Sequence, residues 1–389
     1  MIQKIKNIYH LLQAVVANLW YAFPSREIKV IGVTGTDGKT TTTHLLYHIL
    51  STSGKKVSML STIFAKVAGK EYDTGFHVTT PDSFLIQKLL RAAVKNGDEY
   101  FILETTSHAL DQNRVWGVHF DAAVLTNITH EHLDYHKSIG GYAKTKWRLV
   151  EMARIALINN DDEVTRLQSI KSAHIKTYGL INKADYSQDF KKEIKDLADF
   201  NAYNYLGAYG LCVELGIDEK SIVEALKTYK LPAGRIDIVY KKDFMVIVDF
   251  AHTPNGIYRI LETVKKQYIH GEGRLIHVFG SAGLRDHTKR PAMGKASATF
   301  ADISYITEED YRTEDPLKIA KEIGLGFENK KYSVEIDRKK AIYTAIGVAK
   351  SGDVVVITGK GHEKSLCRGT IEYPWSDIDC VKEYVSTLS

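Results

Sequence analysis

The sequence has 389 residues, of which 44% are hydrophobic and 25% are charged. This length is too great for one ordinary hydrophobic core and fits two or three domains of a globular protein. The net charge of +5 comes from residues scattered along the chain without a block of like charge, which argues against a nucleic-acid-binding protein. The three cysteines lack paired or metal-ligand spacing, so they argue against a disulfide framework and a zinc ribbon and favour the reducing cytoplasm.

Hydrophobic residues recur at helical spacing near the start of the sequence, at Ile8, Leu12, Val15, Val16 and Leu19. This pattern predicts a short amphipathic helix within residues 1–27. The apolar run 14–23 is shorter than the roughly 20 residues that span a bilayer, and no cleavage pattern of a signal peptide follows it. Two interpretations remain open: the helix packs on the next domain, or residues 1–23 touch a membrane surface.

Short apolar runs alternate with helical stretches, which predicts an α/β protein. The β-branched run 28–34 precedes a helix at 41–50, and further strands are expected at 100–103, 122–126 and 155–158. A long helix is expected at 200–215. This pattern predicts a central P-loop-type ATPase domain with a mostly parallel sheet at residues 28–232.

The sequence Leu231-Pro232-Ala233-Gly234 indicates a domain boundary, because proline and glycine interrupt regular structure. Beyond it, strands are expected at 245–250, 275–279, 303–306 and 354–358, again separated by helices. These elements predict a C-terminal Rossmann-like α/β domain at residues 233–389.

A glycine-containing loop joins the first predicted strand to its helix, with the sequence Thr34-Gly35-Thr36-Asp37-Gly38-Lys39-Thr40. Glycines let backbone N–H groups face a phosphate, and the amino terminus of the helix adds positive potential. Lys39 is expected to reach the β- and γ-phosphates and the Thr40 hydroxyl to bind Mg²⁺. The alternative is a glycine turn that only closes the βα unit. The loop alone predicts no more than nucleotide binding.

Several further motifs follow the loop in a fixed order. They are TTP at Thr79, ETTSHALDQNR at Glu104, TNITHEHLDYH at Thr126, YAKTK at Tyr142, GRID at Gly234, DFAHTPN at Asp249, GSAGLRDHTKRP at Gly280 and GKGHE at Gly359. Together they resemble the Mur ligase family, in particular the branch that adds the third residue of the peptidoglycan stem peptide. The resemblance covers residues 28–389 and implies a cytoplasmic ligase that activates a carboxylate with ATP and lets an amine displace the phosphate.

The resemblance implies which groups perform this chemistry. It assigns catalysis to Lys39, Glu104, His132 and Lys146, with Mg²⁺ held by Thr40, Glu104, His132 and Lys146. Lys146 is expected as a CO₂-derived carbamate, because an ammonium repels Mg²⁺ whereas a carbamate offers hard oxygen ligands. From the residues alone, Lys146 is equally a surface lysine, and His130, Glu131 and His136 compete with His132.

The family positions for substrates also have counterparts here. The residues implied for ATP are Gly35, Thr36, Asp37, Gly38, Lys39, Thr40, Thr41, Asn204, Arg235, Asp249 and His252. Those implied for the muramoyl-dipeptide are Thr79, Thr80, Thr106, Gln112 and Arg114. The residue-level alternatives are a helix cap for Asn204 and a linker salt bridge for Arg235.

The positions implied for the incoming amino acid are Arg285, Glu309, Asp310, Arg312, Gly359 and Glu363. A guanidinium fork suits the second carboxylate of diaminopimelate, and Arg312 stands at the matching place. Diaminopimelate enzymes of the family read Asp-Asn-Pro-Arg where this chain reads Glu-Asp-Tyr-Arg. The arginine favours meso-diaminopimelate over L-lysine.

Other functions stay open at this point. Family members carry a separate amino-terminal domain for the UDP moiety, and the roughly 27 residues before the first strand are too few for one. The acceptor is therefore either UDP-muramoyl-dipeptide or another one that is lipid-linked or presented by a partner protein. A folylpolyglutamate synthetase and a nucleotide-binding cell-wall scaffold are the further alternatives. We expect a monomer that acts on small molecules and binds no nucleic acid.

Overall fold

A computed structural model describes residues 2–72, 79–168, 174–195 and 197–388. The chain divides into two compact units. The first unit comprises Met1–Thr129 and Ser138–Lys230, and the second comprises His130–Lys137 and Leu231–Ser389.

The strands lie at β1 (Lys29–Thr34), β2 (Val57–Leu60), β3 (Ala65–Val67), β4 (Lys70–Tyr72), β5 (Tyr100–Glu104), β6 (Phe120–Leu125), β7 (Ala153–Asn159), β8 (Ile175–Tyr178), β9 (Asp237–Lys241), β10 (Met245–Asp249), β11 (Leu275–Phe279), β12 (Ile303–Ile306), β13 (Ser333–Val334), β14 (Val354–Thr358), β15 (Ser365–Arg368) and β16 (Ile371–Pro374).

The α-helices lie at α1 (Ile2–Trp20), α2 (Lys39–Thr52), α3 (Ser83–Lys95), α4 (Ser107–Asp111), α5 (Leu133–His136), α6 (Ile139–Met152), α7 (Glu163–Gln168), α8 (Asp199–Glu214), α9 (Glu219–Thr228), α10 (Pro254–Gln267), α11 (Arg290–Phe300), α12 (Pro316–Gly324), α13 (Arg338–Gly347) and α14 (Asp377–Val385). Short 3₁₀ turns lie at Pro24–Arg26, Phe190–Lys192, His287–Lys289 and Leu325–Phe327.

The first unit is built on a sheet with the strand order β4-β3-β2-β5-β1-β6-β7-β8. The run from β2 to β8 is parallel, and β3 and β4 form an antiparallel extension at one edge. β1 lies between β5 and β6, so both of its edges are hydrogen-bonded, and because helices pack on both faces of the sheet its residues are buried from Val30 to Thr34. The predicted parallel α/β architecture is confirmed. The phosphate loop begins at the end of β1, a central strand of the sheet.

Each face of this sheet carries its own hydrophobic core. Helices α2, α8 and α9 cover one face, and the core there includes Ile31, Leu45 and Leu206. Helices α3 and α6 cover the other face, where Val30, Leu90 and Leu149 belong to the core. Gly32 in β1 sits so close to α6 that a Cβ atom would lie 2.8 Å from the Leu149 side chain.

Helix α1 confirms the predicted leader helix and packs on α3. The fully buried residues of α1 are small or polar, namely Ala14, Ala17 and Asn18. The Asn18 amide donates hydrogen bonds to Ala14 O and Trp116 O, each at 2.8 Å. No helix among the described residues combines the length and apolar character needed to cross a bilayer.

The second unit has a six-stranded sheet with the order β13-β12-β11-β14-β10-β9, in which only β9 is antiparallel to its neighbour. Helices α10, α11 and α12 pack on one face, and α13 and α14 on the other. The loops that follow β10, β11, β12 and β14 therefore leave the sheet at the same edge. In parallel α/β sheets this carboxyl edge is where ligands bind.

A buried ion pair joins α13 to α14 in the second unit. Arg338 and Asp377 are both fully buried and their side chains form two hydrogen bonds, at 2.8 and 2.7 Å. The Arg338 guanidinium also donates to the carbonyl oxygens of Glu308 and Thr358, at 3.1 and 2.9 Å. Burial lowers the pKa of Arg338, but the carboxylates of Asp377, Glu309 and Glu308 outweigh it and raise the pKa overall.

Replacing Arg338 with methionine should destabilise the second unit by about 3–5 kcal/mol, because Asp377 is left as an uncompensated buried charge. Chemical denaturation followed by circular dichroism measures the loss. The neighbouring Lys339 pairs with Glu383 on the surface, so Lys339→Met is the matched control and should leave stability nearly unchanged. Equal effects of the two substitutions would contradict a structural role of the buried pair.

Candidate functional site

The phosphate loop follows β1 directly and ends at the first turn of α2. Its backbone is fixed by the segment after β6: Thr36 N donates to Asn127 O at 2.8 Å, and Asp37 N donates to the Asn127 side chain at 2.9 Å. The Thr126 hydroxyl and the Asn127 amide both donate to Asp37 O, at 2.6 and 3.1 Å. These four hydrogen bonds fix the backbone of the loop at Thr36 and Asp37.

Two glycines are required by this conformation. Gly35 and Gly38 have positive φ angles of 150° and 83°. A Cβ atom on Gly35 would lie 1.8 Å from the Thr126 hydroxyl, and one on Gly38 would lie 2.3 Å from the Asn204 amide oxygen. The sequence TGTDGKT therefore marks places where the backbone passes closer to its neighbours than any side chain permits.

Glu104 and Thr40 are brought together at the carboxyl end of β5. Both are buried, and the Thr40 hydroxyl donates to Glu104 Oε1 at 2.9 Å. The Thr62 hydroxyl donates to the same oxygen at 2.8 Å, and Thr62 N donates to Oε2 at 2.9 Å. The predicted metal ligands Thr40 and Glu104 are therefore in direct contact. Thr40 is the second residue of α2, the helix that follows the phosphate loop.

The five residues predicted for the muramoyl-dipeptide form one network with Glu104. The Thr79 hydroxyl lies 3.1 Å from the Thr62 hydroxyl, and Thr80 donates to Glu104 O at 2.9 Å. Thr106 N donates to the Thr80 hydroxyl, and the Thr106 hydroxyl caps α4 by accepting from Ala109 N.

Arg114 completes this network. Its guanidinium donates to Thr80 O at 2.8 Å and makes two bonds to the Gln112 side-chain oxygen, at 3.0 and 2.7 Å. Arg114 and Gln112 are thus fixed in orientation relative to Thr80, and through it to the end of β5.

Lys146 lies on α6 and is buried, which rules out the alternative of a surface lysine. Its Nζ donates to Gly35 O at 2.6 Å and lies 4.6 Å from the centre of the Tyr142 ring. The side chain therefore ends at the base of the phosphate loop. Lys39 Nζ is also on the loop and donates to Thr36 O at 2.7 Å.

Asn204 is a buried residue inside α8, so the alternative of a helix cap is wrong. Its side-chain oxygen faces Gly38 and accepts from the Thr42 hydroxyl at 3.5 Å, while its amide nitrogen donates to the Asn201 side chain at 3.0 Å. Thr41 lies in the first turn of α2, where its carbonyl accepts from the Tyr229 hydroxyl at 3.4 Å.

His132 belongs to the second unit, within the segment 130–137 that includes α5. Leu133 N donates to Asp286 at 3.0 Å, and Glu131 forms a buried ion pair with Lys289 at 3.1 Å. His132 has a left-handed backbone conformation with φ 56°, and its Nδ1 lies 3.8 Å from Glu131. Its neighbours His130 and His136 stay alternatives for the predicted metal role.

Arg235, Asp249 and His252 lie around the end of β10. The Arg235 guanidinium stacks on Phe250 at 4.6 Å, and the ring of His252 packs on the same phenylalanine at 4.7 Å. Asp249 accepts from the backbone N–H groups of Ile236 and Ala251, each at 2.8 Å. Asp249 thereby ties the GRID turn to the strand.

The six residues predicted for the amino acid lie on the loops that follow β11, β12 and β14. Gly359 has φ 107°, and a Cβ atom on it would lie 2.8 Å from Glu309 Oε2. That oxygen is buried and has no hydrogen-bond partner within the described residues. Burial raises the pKa of Glu309, and the neighbouring Asp310 raises it further.

Two acidic side chains of this set share one lysine. Lys360 Nζ lies 2.8 Å from Asp310 Oδ1 and 2.5 Å from Glu363 Oε2. Burial lowers the pKa of Lys360, but Glu363 and Asp310 outweigh this and raise it overall. Glu309 is consequently the carboxylate of the set with an oxygen left for a ligand.

The two arginines of the set lie near each other. Partial desolvation lowers the pKa of Arg285, which is an exposed residue, and the positive charge of Arg312 lowers it further. Arg312 donates to Gly283 O at 2.8 Å and has φ 53°, so its position is fixed by the loop after β11. Two adjacent guanidinium groups form a place for a carboxylate.

The described residues can be compared with what a Mg²⁺ site requires. Across residues 2–72, 79–168, 174–195 and 197–388, no three histidine, cysteine or carboxylate side chains converge as a metal site. Mg²⁺ in nucleotide sites needs fewer, because it takes one or two carboxylates together with phosphate oxygens and water. The contact between the Thr40 hydroxyl and the Glu104 carboxylate at 2.9 Å fits that ion.

Some functional residues were missed by the sequence prediction. Thr62 follows β2, and because β2 pairs in parallel with β5, its end lies beside Glu104. Thr62 could have been found from the rule that neighbouring parallel strands end at the same edge of a sheet. The rule could not be applied because the four-residue strand β2 was not predicted. Asn127 and Lys360 stood within quoted motifs without an assigned role.

The chain matches two family models. The model described as Mur ligase middle domain covers residues 33–212, and the one described as Mur ligase, glutamate ligase domain covers residues 234–361.

Two curated relatives are both named UDP-N-acetylmuramoyl-L-alanyl-D-glutamate–2,6-diaminopimelate ligase. The chain is 39% identical to the protein from Clostridium botulinum, over 90% of this chain and 76% of that protein. It is 38% identical to the protein from Aquifex aeolicus, over 94% of this chain and 79% of that protein.

Solved structures show the same fold. A ligase of the same name superimposes with a TM-score of 0.59 and 29% identity, over 93% of this chain and 79% of the other. A folylpolyglutamate synthase from Mycobacterium tuberculosis gives a TM-score of 0.71 at 16% identity, over 90% of this chain and 92% of the other. The second likeness is one of fold alone.

Gly38→Ala should weaken Mg-ATP binding at least about tenfold, because the new Cβ must displace the Asn204 amide and the left-handed backbone resists any side chain. Isothermal titration calorimetry measures this change. Gly54, at the end of α2, has a similar φ of 79° but open space around it. Gly54→Ala is therefore the matched control and should bind Mg-ATP like the wild type; unchanged binding in Gly38→Ala would contradict the phosphate-loop assignment.

Proposed function

We propose, because this chain belongs to the Mur ligase family, that it joins meso-diaminopimelate to UDP-N-acetylmuramoyl-L-alanyl-D-glutamate in an ATP-dependent step of peptidoglycan precursor synthesis. Mur ligases are ATP-dependent enzymes that form amide bonds, and the curated relatives carry the name of this reaction over most of the chain.

One observation carries the proposal: Glu104 connects the phosphate loop to the residues predicted for the acceptor. Its carboxylate accepts from Thr40 in the first turn of α2, and its carbonyl accepts from Thr80. Thr80 is bonded in turn to Thr106 and Arg114. A γ-phosphate at the loop and a carboxylate held by this network would lie at the same end of β5, which the first chemical step requires.

The reaction has two steps. A carboxylate oxygen of the acceptor attacks the γ-phosphorus of ATP, and the bond to the β-phosphate oxygen breaks, giving an acyl phosphate and ADP. The amine of the second substrate then attacks the acyl carbon, phosphate leaves, and the amine loses a proton. The first step brings two anions together, so it needs concentrated positive charge. Lys39 supplies such charge at the loop, and Arg114 orients the acceptor.

Mg²⁺, when bound, screens the charge of the transferring phosphoryl group. Thr40 and Glu104 are the residues that would hold it. Carbamylated Lys146 and His132 are proposed as further ligands. The support for Lys146 is its burial and the 2.6 Å contact between Nζ and Gly35 O, which places the end of the side chain at the phosphate loop.

The incoming amino acid is proposed to bind at the carboxyl edge of the second sheet. Diaminopimelate carries two carboxylates and two amines, and the loops there present both kinds of partner. Arg285 and Arg312 suit a carboxylate, whereas Glu309, with its buried unpaired oxygen next to Gly359, suits an ammonium group. Glu363 lies on the loop after β14 as well, and its ion pair with Lys360 fixes its side chain there. L-Lysine lacks the second carboxylate and would leave the arginine pair without a partner.

The other functions have weaker support. A nucleotide-binding scaffold without catalysis does not need Lys39, Thr40, Glu104 and Lys146 together, yet all four meet at the loop or at the end of β5. The folylpolyglutamate alternative is supported by similarity of fold alone. The muramyl alternative is supported by relatives whose sequences are 34–39% identical to this chain. The predicted monomer stays a prediction.

ADP release should require Mg-ATP, UDP-N-acetylmuramoyl-L-alanyl-D-glutamate and meso-diaminopimelate, with little turnover on L-lysine. Arg312→Met should raise the KM for diaminopimelate at least about tenfold and leave the KM for ATP unchanged, because one of the two guanidinium groups proposed to bind the substrate carboxylate is lost. Arg259→Met is the matched control, since Arg259 is exposed and forms an ion pair with Glu262 in its own helix. Equal turnover of lysine, together with an unchanged KM in Arg312→Met, would contradict the substrate assignment.

Lys146→Ala should abolish turnover while Mg-ATP still binds, because the side chain is proposed to act on the metal and not on the adenine nucleotide. Lys144 lies two residues earlier on α6 and is exposed, so Lys144→Ala is the matched control and should keep its activity. Both are compared by ADP release and calorimetry in low and high bicarbonate. Full activity of Lys146→Ala in low bicarbonate would remove this lysine from the mechanism.

A further inference from the structure

Helix α1 presents a continuous apolar face to solvent. The residues on it are large and at least half exposed: Ile8 (59%), Tyr9 (63%), Leu12 (61%), Val16 (51%), Leu19 (64%) and Trp20 (77%). They recur at intervals of three and four residues, so they share one side of the helix. Single exposed apolar residues are ordinary, but six on one helix face form a patch of the kind that marks an interaction surface.

The opposite side of α1 already binds the rest of the first unit. Ala14, Ala17 and Asn18 are fully buried there, and Asn7 donates to Asp111 O and Oδ2 at 3.1 and 3.0 Å. Because the fully buried residues of this contact are small or polar, the six large apolar residues of the exposed face are not used for packing within the first unit. The exposed apolar face is therefore left for something outside the described residues.

The charged residues of the two helices have one sign. Helix α1 and its packing partner α3 contain five basic residues and no acidic one, namely Lys4, Lys6, Lys88, Arg91 and Lys95. The net charge of the entire chain is +5, so the remainder of the protein is neutral in sum. Arg91 pairs with Glu27, whereas Lys6, Lys88 and Lys95 are exposed and have no ion-pair partner in the described part of the chain.

The aromatic and basic residues of α1 favour a bilayer surface as the binding partner. Trp20 and Tyr9 combine an aromatic body with a polar N–H or O–H group, and such side chains are favoured where an apolar phase meets water. A helix that pairs large apolar residues with basic residues and lacks acidic ones matches the physics of binding to an anionic bilayer surface.

We infer that the exposed face of α1, together with Lys6, Lys88 and Lys95, binds the first unit to the surface of an anionic phospholipid bilayer. The apolar side chains enter the interface between headgroups and acyl chains, while the lysine ammonium groups contact lipid phosphates. The interaction is peripheral and reversible, and it is independent of the proposed ligase reaction because none of these residues belongs to the candidate site.

Co-sedimentation of the full chain with phospholipid vesicles tests the inference. Wild-type protein should bind vesicles of phosphatidylcholine with phosphatidylglycerol, and binding should fall in high salt and on vesicles of phosphatidylcholine alone. The combined substitution Leu12→Gln, Val16→Gln and Leu19→Gln should reduce binding about tenfold or more. Substituting Lys6, Lys88 and Lys95 with glutamine should reduce binding to the anionic vesicles only.

The matched control replaces three leucines of similar exposure elsewhere, Leu167 (76%), Leu317 (61%) and Leu325 (68%), with glutamine and should bind like the wild type. ADP release and circular dichroism show that each variant is folded. Wild-type binding by the α1 variant, or absence of vesicle binding by the wild type, would overturn the inference. A dimer in analytical ultracentrifugation that the α1 variant abolishes, without vesicle binding, would assign the face to a second copy of the chain instead.

Discussion

The hydrogen bonds to the Glu104 carboxylate are the interaction on which the candidate site of the first unit depends. A buried carboxylate is unfavourable unless donors satisfy it. Here the Thr40 hydroxyl, the Thr62 hydroxyl and Thr62 N supply three donors to it. Thr40 lies in α2 and Thr62 follows β2, so the carboxylate at the end of β5 is bonded both to the helix after the phosphate loop and to the end of β2. A change in any of them would move the others.

The same arrangement explains why residues predicted for catalysis and substrate binding lie far apart in sequence but close in space within each unit. Parallel strands end at one edge, and the loops that leave that edge meet there. In the first unit this edge gathers the phosphate loop, Thr62, Glu104 and Thr80. In the second unit it gathers Asp249, Arg285, Glu309 and Gly359. Each set requires a glycine where backbone and side chain touch, at Gly38 beside Asn204 and at Gly359 beside Glu309.

The fold was largely predictable from the sequence, because long β-branched runs bounded by glycine or polar residues identify central strands. The strands β1, β5, β10, β11, β12 and β14 were all expected close to their observed bounds. The edge strands were not, since β3 and β4 have three residues each and β4 is exposed throughout, so they lack a hydrophobic pattern. Short edge strands take their structure from the neighbouring strand, which no local pattern reports.

The candidate site was predictable only in part. Residue types and motif order indicated Lys39, Thr40 and Glu104, but hydrogen-bond partners depend on tertiary contacts. Lys146 gave no sign of its burial in the sequence, and the pairing of Lys360 with Asp310 and Glu363 joins loops 50 residues apart. The assignment of His132 over its neighbouring histidines stays a prediction, since a cluster of four polar residues offers no local criterion.

The central claim is that the acceptor carboxylate is activated as an acyl phosphate, and transfer of labelled oxygen tests it most directly. The acceptor dipeptide is prepared with ¹⁸O in the γ-carboxylate of its glutamate, and the phosphate released during turnover with diaminopimelate is analysed by mass spectrometry. An acyl-phosphate reaction leaves one carboxylate oxygen on the phosphate, so each turnover should release one ¹⁸O-labelled phosphate. Unlabelled phosphate released together with the amide product would contradict the account.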